Sequence, residues 1–346
     1  MSTYVGVARR TGGSVSGVFR QKTRDSQWEL LRGGLPEGIH AQAITVHPVN
    51  PNIVFVGAGD GLYRSTDAGD HWARLDVPAD LQIWSVLVHP TNPRVIYAGT
   101  SPVGVLRSDD GGDTWRKLPN VRQPDRVKMS FPCRVMRLSI DPAHPDHIYA
   151  ALEVGGAMRS LDGGETWNDC ATELVHLAER NPHLRSRLQS DTENEGMLDA
   201  HALCVSAAAP DTVFLAVRMG LFKSTDAGAT WKDVEVGRFS PLTYARDVRV
   251  SPHDPKTLFA CLSPAAASQD GSLYRSSDFG DTWQRLDRGV KARATMMAVA
   301  QDTRDAKAIS CVSRCGQVFS TADGGETWGE SLLPEGVKDV YAIARG

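Results

Sequence analysis

The sequence predicts an all-β fold, a single seven-bladed β-propeller whose blades are four-stranded antiparallel sheets. The first observation behind this prediction is an internal ten-residue repeat, and the second is its spacing. Successive closing tryptophans of the repeat lie 43 to 64 residues apart, and a unit of four short strands needs about 40–45 residues. The third observation is that the two ends of the chain supply complementary strands of one blade.

The repeat has a fixed pattern: an apolar residue, Ser or Thr two positions later, Asp after two more, then Gly and a closing Trp. Full copies occupy residues 63–72, 106–115, 158–167, 222–231, 274–283 and 319–328, and an incomplete copy occupies residues 19–28. In the first full copy, Ser65 and Asp67 can bind backbone N–H groups of a tight turn. Gly69 allows a backbone conformation that is closed to other residues, and Trp72 offers a large apolar face. A metal-binding or catalytic Asp is the alternative, but sixfold repetition favours a structural hairpin turn.

At these residues the chain resembles the Asp-box (BNR) repeat proteins, which include sialidases, xyloglucanases, sortilin-type receptor domains and the photosystem II stability factor. The resemblance covers almost the whole chain and implies a β-propeller. It implies no single activity, because function depends on the site that a fold carries. Residues 18–21 come nearest to the Phe/Tyr-Arg-Ile-Pro motif of sialidases and fail it. Xyloglucanases of this type use two propellers, and propeller lyases acting on uronic-acid sugars are similar only in the residue types at the ring centre.

Composition excludes several classes of function. The 346 residues are 41% hydrophobic and 23% charged, and the net charge of −3 gives no basic surface for nucleic acid. No segment approaches the ~18 apolar residues of a membrane helix. The first ten residues lack the apolar core of a secretory signal, and six cysteines in such a chain are typical of reduced thiols. We therefore expect a cytoplasmic protein that binds neither nucleic acid nor membrane, with a protein partner as an option.

The spacing also predicts the blade boundaries. The expected blades are residues 1–32 plus 338–346, 39–76, 81–118, 133–170, 198–235, 243–287 and 293–332. The first blade has strand-like segments at residues 4–8, 17–20 and 28–31 but lacks an innermost strand. Residues 339–344 read as that strand. It would close the ring and remove the exposed sheet edges.

Long connections are expected on one face of the propeller. In an up-and-down meander, the turns between the first and second strands and between the third and fourth share a face, and the other connections share the opposite one. The long segments 9–16, 119–132 and 263–272 all belong to the second group. So does the longest, a partly helical insertion at residues 169–198 that is interrupted near Asn181. Loops of this length are uncommon without a role, so binding is expected on this insertion face.

Two columns of residues should surround the axis on the insertion face. The column at the start of the innermost strands comprises His40, Gln42, Gln82, Trp84, Arg134, Met136, Asp199, His201, Tyr244 and Arg246. The column at the end of the second strands comprises Arg9, Gly59, Ser101, Glu153, Arg218, Ser263 and Arg314. Charges here interrupt strands that otherwise consist of Val, Ile, Leu, Ala and Phe.

These columns suggest a site for a small anionic molecule that carries a carboxylate, with a sugar-derived acid as one option. The predicted substrate-binding residues are Arg134, Arg218, Arg246, Arg314, His40 and Trp84, since arginine suits bidentate carboxylate binding. The predicted catalytic residues, which could transfer protons in a hydrolase or lyase, are His201, Glu153 and Tyr244. Two alternatives stay open. One is a solvated channel in which arginines pair with Glu153 and Asp199, and the other is an interaction scaffold that uses the same face.

No cofactor and no metal site is predicted, although metal binding at the axial mouth is left open. Histidines cluster at the turns between first and second strands, where they either bind a metal or, as favoured here, line turns on separate blades; they are His47, His89, His144, His147 and His253. Cys311 and Cys315 lack the second ligand pair that zinc needs. The glycine pairs lie in hairpins rather than in a nucleotide-binding context.

Overall fold

The structure, a computed structural model, describes residues 1–8, 15–190 and 192–346. It contains seven four-stranded sheets, and every strand pair within them is antiparallel. The predicted seven-bladed β-propeller is therefore confirmed. Among the described residues, no helix has the length and hydrophobicity needed to cross a bilayer.

Each blade contributes strands of two to seven residues, numbered here in chain order. Blade 1 comprises β1 (Thr3–Val7), β2 (Gly17–Gln21), β3 (Glu29–Leu31) and the last strand, β28 (Val340–Arg345). Blade 2 comprises β4 (Ala41–Val46), β5 (Val54–Ala58), β6 (Gly61–Ser65) and β7 (Ala73–Arg74). Blade 3 comprises β8 (Gln82–Val88), β9 (Ile96–Ser101), β10 (Gly104–Ser108) and β11 (Arg116–Lys117). Blade 4 comprises β12 (Val135–Ile140), β13 (Ile148–Leu152), β14 (Gly156–Ser160) and β15 (Asn168–Asp169). Blade 5 comprises β16 (Ala200–Val205), β17 (Val213–Val217), β18 (Gly220–Ser224) and β19 (Lys232–Asp233). Blade 6 comprises β20 (Tyr244–Val250), β21 (Leu258–Ser263), β22 (Ser272–Ser276) and β23 (Gln284–Arg285). Blade 7 comprises β24 (Met296–Gln301), β25 (Ile309–Ser313), β26 (Gln317–Thr321) and β27 (Gly329–Leu332).

The innermost strand is β28 in blade 1 and the first strand in chain order in each of the other six blades. These strands contact one another in a closed cycle, β28–β4–β8–β12–β16–β20–β24 and back to β28. The hydrophobic core lies between neighbouring blades: Phe55 and Leu62 of blade 2 pack with Ile83 and Val86 of blade 3. The outermost strands have only two residues in five of the blades, so they offer little edge for pairing with another chain.

Blade 1 closes the ring as predicted. Strand β28 pairs with β1, so that Tyr4 lies opposite Ala344 and Val5 opposite Ile343. Beyond the strands, Ser2 and Gly346 exchange backbone hydrogen bonds of 2.9 and 3.1 Å. The two ends of the chain are therefore adjacent and hydrogen-bonded to each other.

The ten-residue repeat forms a hydrogen-bonded turn. In blade 3, the Ser108 hydroxyl donates to Asp110 Oδ1 and accepts the Gly112 N–H, both at 2.8 Å. The Asp110 carboxylate also accepts the Thr114 N–H at 2.9 Å and its hydroxyl at 2.6 Å. Trp115 closes the turn by donating its Nε1 proton to the Gly112 carbonyl at 3.0 Å. The same Ser/Thr–Asp contact recurs in the other five full copies.

The insertion is partly helical, as predicted. It contains α1 (Thr172–Arg180), a single 3₁₀ turn (Pro182–Leu184) and the short α2 (Glu195–Leu198). Helix α1 ends at Arg180 because the residue before a proline avoids the helical conformation, and Asn181 is extended. The insertion is anchored by Leu174 and Leu184, which are buried in the core shared by blades 4 and 5.

Candidate functional site at the propeller axis

Every innermost strand carries a β-bulge near its first residues. In each pairing with the second strand one residue is skipped, and the skipped residues are Gln42, Trp84, Met136, His201, Arg246, Met297 and Tyr341. A bulge takes its residue out of the ladder and re-aims the side chain. All seven of these residues line cavities on the axis. The bulges thus explain why chemically diverse residues occur within core strands.

The larger axial cavity has a volume of about 240 Å³. Its wall comes from blades 4 to 7 and blade 1, and Leu188, Gln189 and Glu195 of the insertion contribute to its rim. A smaller cavity of about 50 Å³ shares His201, Arg246 and Tyr341 with it. Ligand sites usually measure about 300–1,000 Å³. The larger axial cavity lies just below this range, so it suits a small molecule rather than a polymer chain.

The insertion is held at the rim by Glu195. This buried carboxylate accepts the N–H groups of Leu188, Gln189 and Ser190 at 3.1, 3.0 and 2.8 Å, and the Ser190 hydroxyl at 2.7 Å. Burial opposes its ionisation, but these hydrogen bonds outweigh that effect and lower the pKa of Glu195. An ionised Glu195 therefore fixes the backbone that carries Leu188 and Gln189 over the cavity.

His201 and Tyr244 form a buried, hydrogen-bonded pair. Nδ1 of His201 lies 2.7 Å from the Ala245 carbonyl oxygen, and a carbonyl only accepts, so Nδ1 carries the proton. Nε2 is then free to accept the Tyr244 hydroxyl proton at 3.1 Å, with Asp199 Oδ1 3.5 Å away. Burial raises the pKa of Tyr244 to about 12. The tyrosine is therefore a neutral donor to a histidine of defined tautomer.

Asp199 is an ionised carboxylate. Arg218, which directly follows the adjacent strand β17, places Nε and Nη2 at 3.0 and 2.9 Å from its Oδ2. Burial opposes ionisation, but contact with His201 and the charges of Arg218 and Arg246 hold the pKa of this carboxyl well below its usual range. Asp199 can therefore orient His201 and stabilise a positive imidazolium, but it is unsuited to donate a proton.

Two further predicted arginines are also held by carboxylates. Arg134 Nη1 lies 2.5 Å from Glu153 Oε2, and its guanidinium sits 4.2 Å from the Trp84 ring centre and 4.7 Å from that of Phe131. Arg314 donates to Asp339 Oδ1 at 3.0 Å and to the Ala266 carbonyl at 3.1 Å. The pairing of arginines with Glu153 and Asp199 matches the solvated-channel alternative at these positions.

Arg246 differs from the other predicted arginines. Within the described part of the chain it has no ion pair or hydrogen bond, and its guanidinium lies 5.9 Å from the Tyr341 ring centre. Deeper on the axis, Arg137 and Arg249 share a single carboxylate, Asp247, at 3.4 and 3.1 Å. Burial and the neighbouring Arg249 lower the pKa of Arg137 to about 10. Arg137 and Arg249 thus share one negative charge, which leaves an excess of positive charge beside the cavity.

The structure brings most of the predicted residues to one cavity. Its wall includes His201, Glu153, Tyr244, Arg218, Arg246 and Arg314. Arg134 lies behind Glu153, and Trp84 lines the smaller cavity. His40 differs from the prediction: it lines neither cavity, because the larger one is displaced away from blade 2 and β4 begins one residue after it. Arg9 lies outside the described residues.

Several wall residues escaped the sequence prediction, among them Met297, Tyr341 and Glu195. Met297 and Tyr341 occupy the bulge positions of blades 7 and 1, and Tyr341 follows Asp339 by the same two-residue step that separates Asp199 from His201. That repeated step could have identified Tyr341. Glu195 has no comparable signal, since its position depends on how the insertion folds back over the axis.

Comparison with known proteins supports the fold. No family model matches the chain. A xyloglucanase of Acetivibrio thermocellus is 26% identical over 285 residues, which make up 72% of this chain and 28% of that protein. The chain spans less than a third of the length of the curated relatives it matches.

Two solved structures extend this comparison. The Niastella koreensis GH74 enzyme superposes with a TM-score of 0.63 at 17% identity, over 88% of this chain and 46% of that one. YCF48 bound to D1 peptide gives 0.57 at 14% identity, over 96% and 88% of the two chains. This similarity is one of fold. The chain is a seven-bladed β-propeller with a GH74 enzyme and YCF48 among its structural neighbours.

Proposed function

We propose that the larger axial cavity binds a small carboxylate-bearing molecule, of the sugar-acid type, and catalyses a hydrolase or lyase reaction on it. The observation that carries this proposal is Arg246, a cation on the cavity wall that forms no direct ion pair or hydrogen bond among the described residues. A ligand carboxylate would supply a direct partner through a charge-assisted, bidentate contact. The curated relatives are xyloglucanases, which supports a sugar-related substrate.

The chemistry of the wall favours His201 and Tyr244 as the proton carriers. Glycosidases need a carboxylic acid with a raised pKa, whereas Asp199 has a lowered one and Glu153 is paired with Arg134. Transfer of the Tyr244 proton to Nε2 of His201 would leave a phenolate that can accept a proton from the substrate. The imidazolium formed would be stabilised by Asp199, 3.5 Å away. Proton abstraction next to a carboxylate held by Arg246 is the reaction that best uses these groups.

The test is calorimetric titration with glucuronate, galacturonate and gluconate, with glucose and galactose as neutral controls. We expect one of the acids to bind and the neutral sugars not to bind. Arg246→Gln should weaken binding about 10- to 150-fold, since a charge-assisted hydrogen bond contributes about 1.5–3 kcal/mol. Arg304→Gln, which removes an exposed arginine from a turn between first and second strands, is the matched control and should bind normally. Equal affinity of Arg246→Gln and the wild type would disprove the anion site.

The second candidate function is binding of a protein partner on the same face. It is favoured by the apolar rim that Met129, Phe131 and Leu188 give the cavity, with Leu188 41% exposed. One structural neighbour has a peptide bound. If no acid binds but a partner isolated with the protein is released by Leu188→Asp, this function replaces the enzymatic one.

A cytoplasmic location stays a prediction, and the six cysteines are all free thiols, as a reducing compartment would leave them.

A further inference from the structure

The turn between β12 and β13 differs from the equivalent turns of the other blades. The first residue of this turn has the same role in six blades, where its side chain accepts the N–H group two residues later; these residues are His47, His89, Asp141, Ser206, Ser251 and Asp302. At the fourth position, Asn or Asp accepts another N–H in four blades, namely at Asn50, Asn92, Asp254 and Asp305. Blade 4 has His144 there. It also has His147 at the seventh position, where the other five turns have Ile53, Val95, Thr212, Thr257 and Ala308.

The neighbouring blade contributes a carboxylate to these histidines. Asp211, in the turn between β16 and β17, places Oδ1 2.9 Å from Nδ1 of His147 and 3.8 Å from Nδ1 of His144. Nδ1 of His144 is also 3.6 Å from Oδ2 of Asp141. One ligand atom from each of the four residues lies within 4.8 Å of every other. Two imidazoles and two carboxylates therefore converge on one point.

The backbone of Asp211 is specialised for this contact. Its φ of 61° is left-handed, a conformation that non-glycine residues rarely adopt. The residues at the same position of the other five turns, Asn52, Arg94, Asp146, Lys256 and Lys307, do not share it. The Asp211 N–H donates to Asp141 Oδ2 at 2.7 Å, which locks the two turns together. Asp141 itself is fully buried, so its carboxylate is fixed between the N–H groups of Ala143 and Asp211.

We propose that Asp141, His144, His147 and Asp211 bind a divalent transition-metal ion of the zinc type. Zinc takes four His and carboxylate ligands at about 2.0–2.2 Å in a tetrahedron, which sets roughly 3.3 Å between ligand atoms. Three of the observed separations, 2.9, 3.6 and 3.8 Å, lie around that value, and the four ligand atoms are all within 4.8 Å of one another. Mg²⁺ and Ca²⁺ prefer oxygen ligands, so the two imidazoles select against them.

This metal site is separate from the axial cavity. Strands β12 and β16 begin at the cavity, next to Arg134 and Asp199, and end at Ile140 and Val205, next to the metal ligands. Three ligands come from blade 4 and one from blade 5, so the ion would link the two blades on the face opposite the insertion. The ion would therefore have a structural role: it would stabilise the contact between blades 4 and 5, which also anchor the insertion.

Zinc titration of untagged, chelator-treated protein tests this proposal. We expect the wild type to bind one Zn²⁺ per chain in calorimetry, to melt at a higher temperature with Zn²⁺, and to show neither effect with Mg²⁺. The double variant His144→Asn/His147→Val carries the residues that blade 3 has at these positions, Asn92 and Val95. It should lose affinity by at least about 100-fold, because even outer-shell changes typically cost 10- to 100-fold.

His71→Thr is the matched control, since it removes an exposed histidine and introduces the residue that the five other full copies of the repeat have. Its affinity for Zn²⁺ should equal that of the wild type. X-ray absorption of the zinc-loaded wild type should show two imidazoles and no sulfur ligand, and this measurement does not depend on whether the variants fold. Wild-type protein that binds Zn²⁺ no better than Mg²⁺, a double variant with full affinity, or sulfur in the zinc shell would each overturn the proposal.

Discussion

Single arginines around the axis differ in what replacing them would cost. Arg218 is paired with Asp199, whose side chain is only 7% exposed, whereas Arg246 has no such partner among the described residues. Removing Arg218 leaves the buried Asp199 carboxylate without its ion pair. Removing Arg246 breaks no ion pair among the described residues. The same substitution at the two positions should therefore affect different properties.

Arg218→Ala should lower the free energy of unfolding by at least about 2 kcal/mol. Breaking a fully buried ion pair costs about 3–5 kcal/mol, and the Arg218 side chain is 24% exposed, which reduces the cost. Urea unfolding measures this difference. Adding Asp199→Asn should restore part of the loss, because the unpaired charge is then absent. Unchanged stability of the single variant would contradict the buried pair.

Tyr244→Phe and His201→Gln should lower kcat while the affinity for the bound acid changes little. Loss of a general acid or base typically costs about 100- to 10,000-fold in rate. Tyr244→Phe retains the aromatic ring, whose centre lies 5.4 Å from the Arg218 guanidinium, so packing is preserved. The measurement is turnover and calorimetry on whichever acid binds the wild type. Normal turnover in both variants would remove the proposed proton carriers.

At the scale of single elements, the repeat turns act as small independent units. Each is stabilised by a hydroxyl that donates to the Asp carboxylate and accepts a glycine N–H, as Ser108 does. These turns lie on the face opposite the insertion, so their loss should affect stability without affecting the cavity.

Ser108→Ala should destabilise the protein by about 1–3 kcal/mol, because the buried Gly112 N–H loses its acceptor. Thermal unfolding measures the effect, and ligand titration supplies the control, since affinity at the axial cavity should stay at the wild-type value. Weakened binding in folded Ser108→Ala protein would contradict the assignment of the turn and the cavity to opposite faces.

The repeat turns also predict how stability depends on pH. Hydrogen bonds lower the pKa of Asp67, Asp110, Asp162 and Asp323 directly, and at Asp226 and Asp278 they outweigh the opposing effect of burial. A folded-state pKa below the unfolded value of about 3.9 contributes stability that is present above this pH and lost as the pH falls through the folded-state values. Melting temperature should therefore decline steeply below about pH 4. Asp110→Asn should flatten that decline relative to the wild type, and an identical slope would argue against the turn's contribution.

At the scale of the whole molecule, stability depends on ring closure. Strand β28 is the innermost strand of blade 1 and contacts the innermost strands of both neighbouring blades, β4 and β24. Its Val340 and Ile343 are buried in the core between blades 7 and 1. One strand therefore supports two interfaces between blades as well as one sheet.

Deleting residues 338–346 should abolish cooperative unfolding and cause aggregation, because it exposes the edge of β1 and opens two interfaces. Size-exclusion chromatography and thermal unfolding test this. A circular permutant that joins Gly346 to Met1 by a short linker and opens the chain between Gln123 and Pro124 is the control. It keeps every strand and should melt close to the wild type. A truncated protein that melts normally would contradict closure by β28.

The sequence predicted the propeller well because the fold depends on local, repeated signals. Each copy of the turn encodes its own hairpin, and the order of the blades follows from chain connectivity. Strand β28 was expected at residues 339–344 and is found at Val340–Arg345.

The candidate site was predictable only in part. The two-residue step from Asp199 to His201 marks the bulge, so residues on that column could be found. The partner of each arginine could not, because it depends on which strand ends meet in three dimensions. Arg134 and Arg246 belong to the same predicted column, yet one is paired with Glu153 and the other has no direct ion pair among the described residues. His40 shows the same limit, since no residue of blade 2 lines the larger cavity.

The seven bulges separate the residues that fold the chain from those that face a ligand. A bulged side chain is outside the hydrogen-bonded ladder, so exchanging it leaves the strand pairing intact. Blade 2 offers Gln42, blade 3 Trp84 and blade 5 His201 at the same structural position. The ring is therefore a natural template for protein engineering. A combinatorial library restricted to these seven positions would vary recognition while the architecture stays constant, and new specificities could be selected from it one blade at a time.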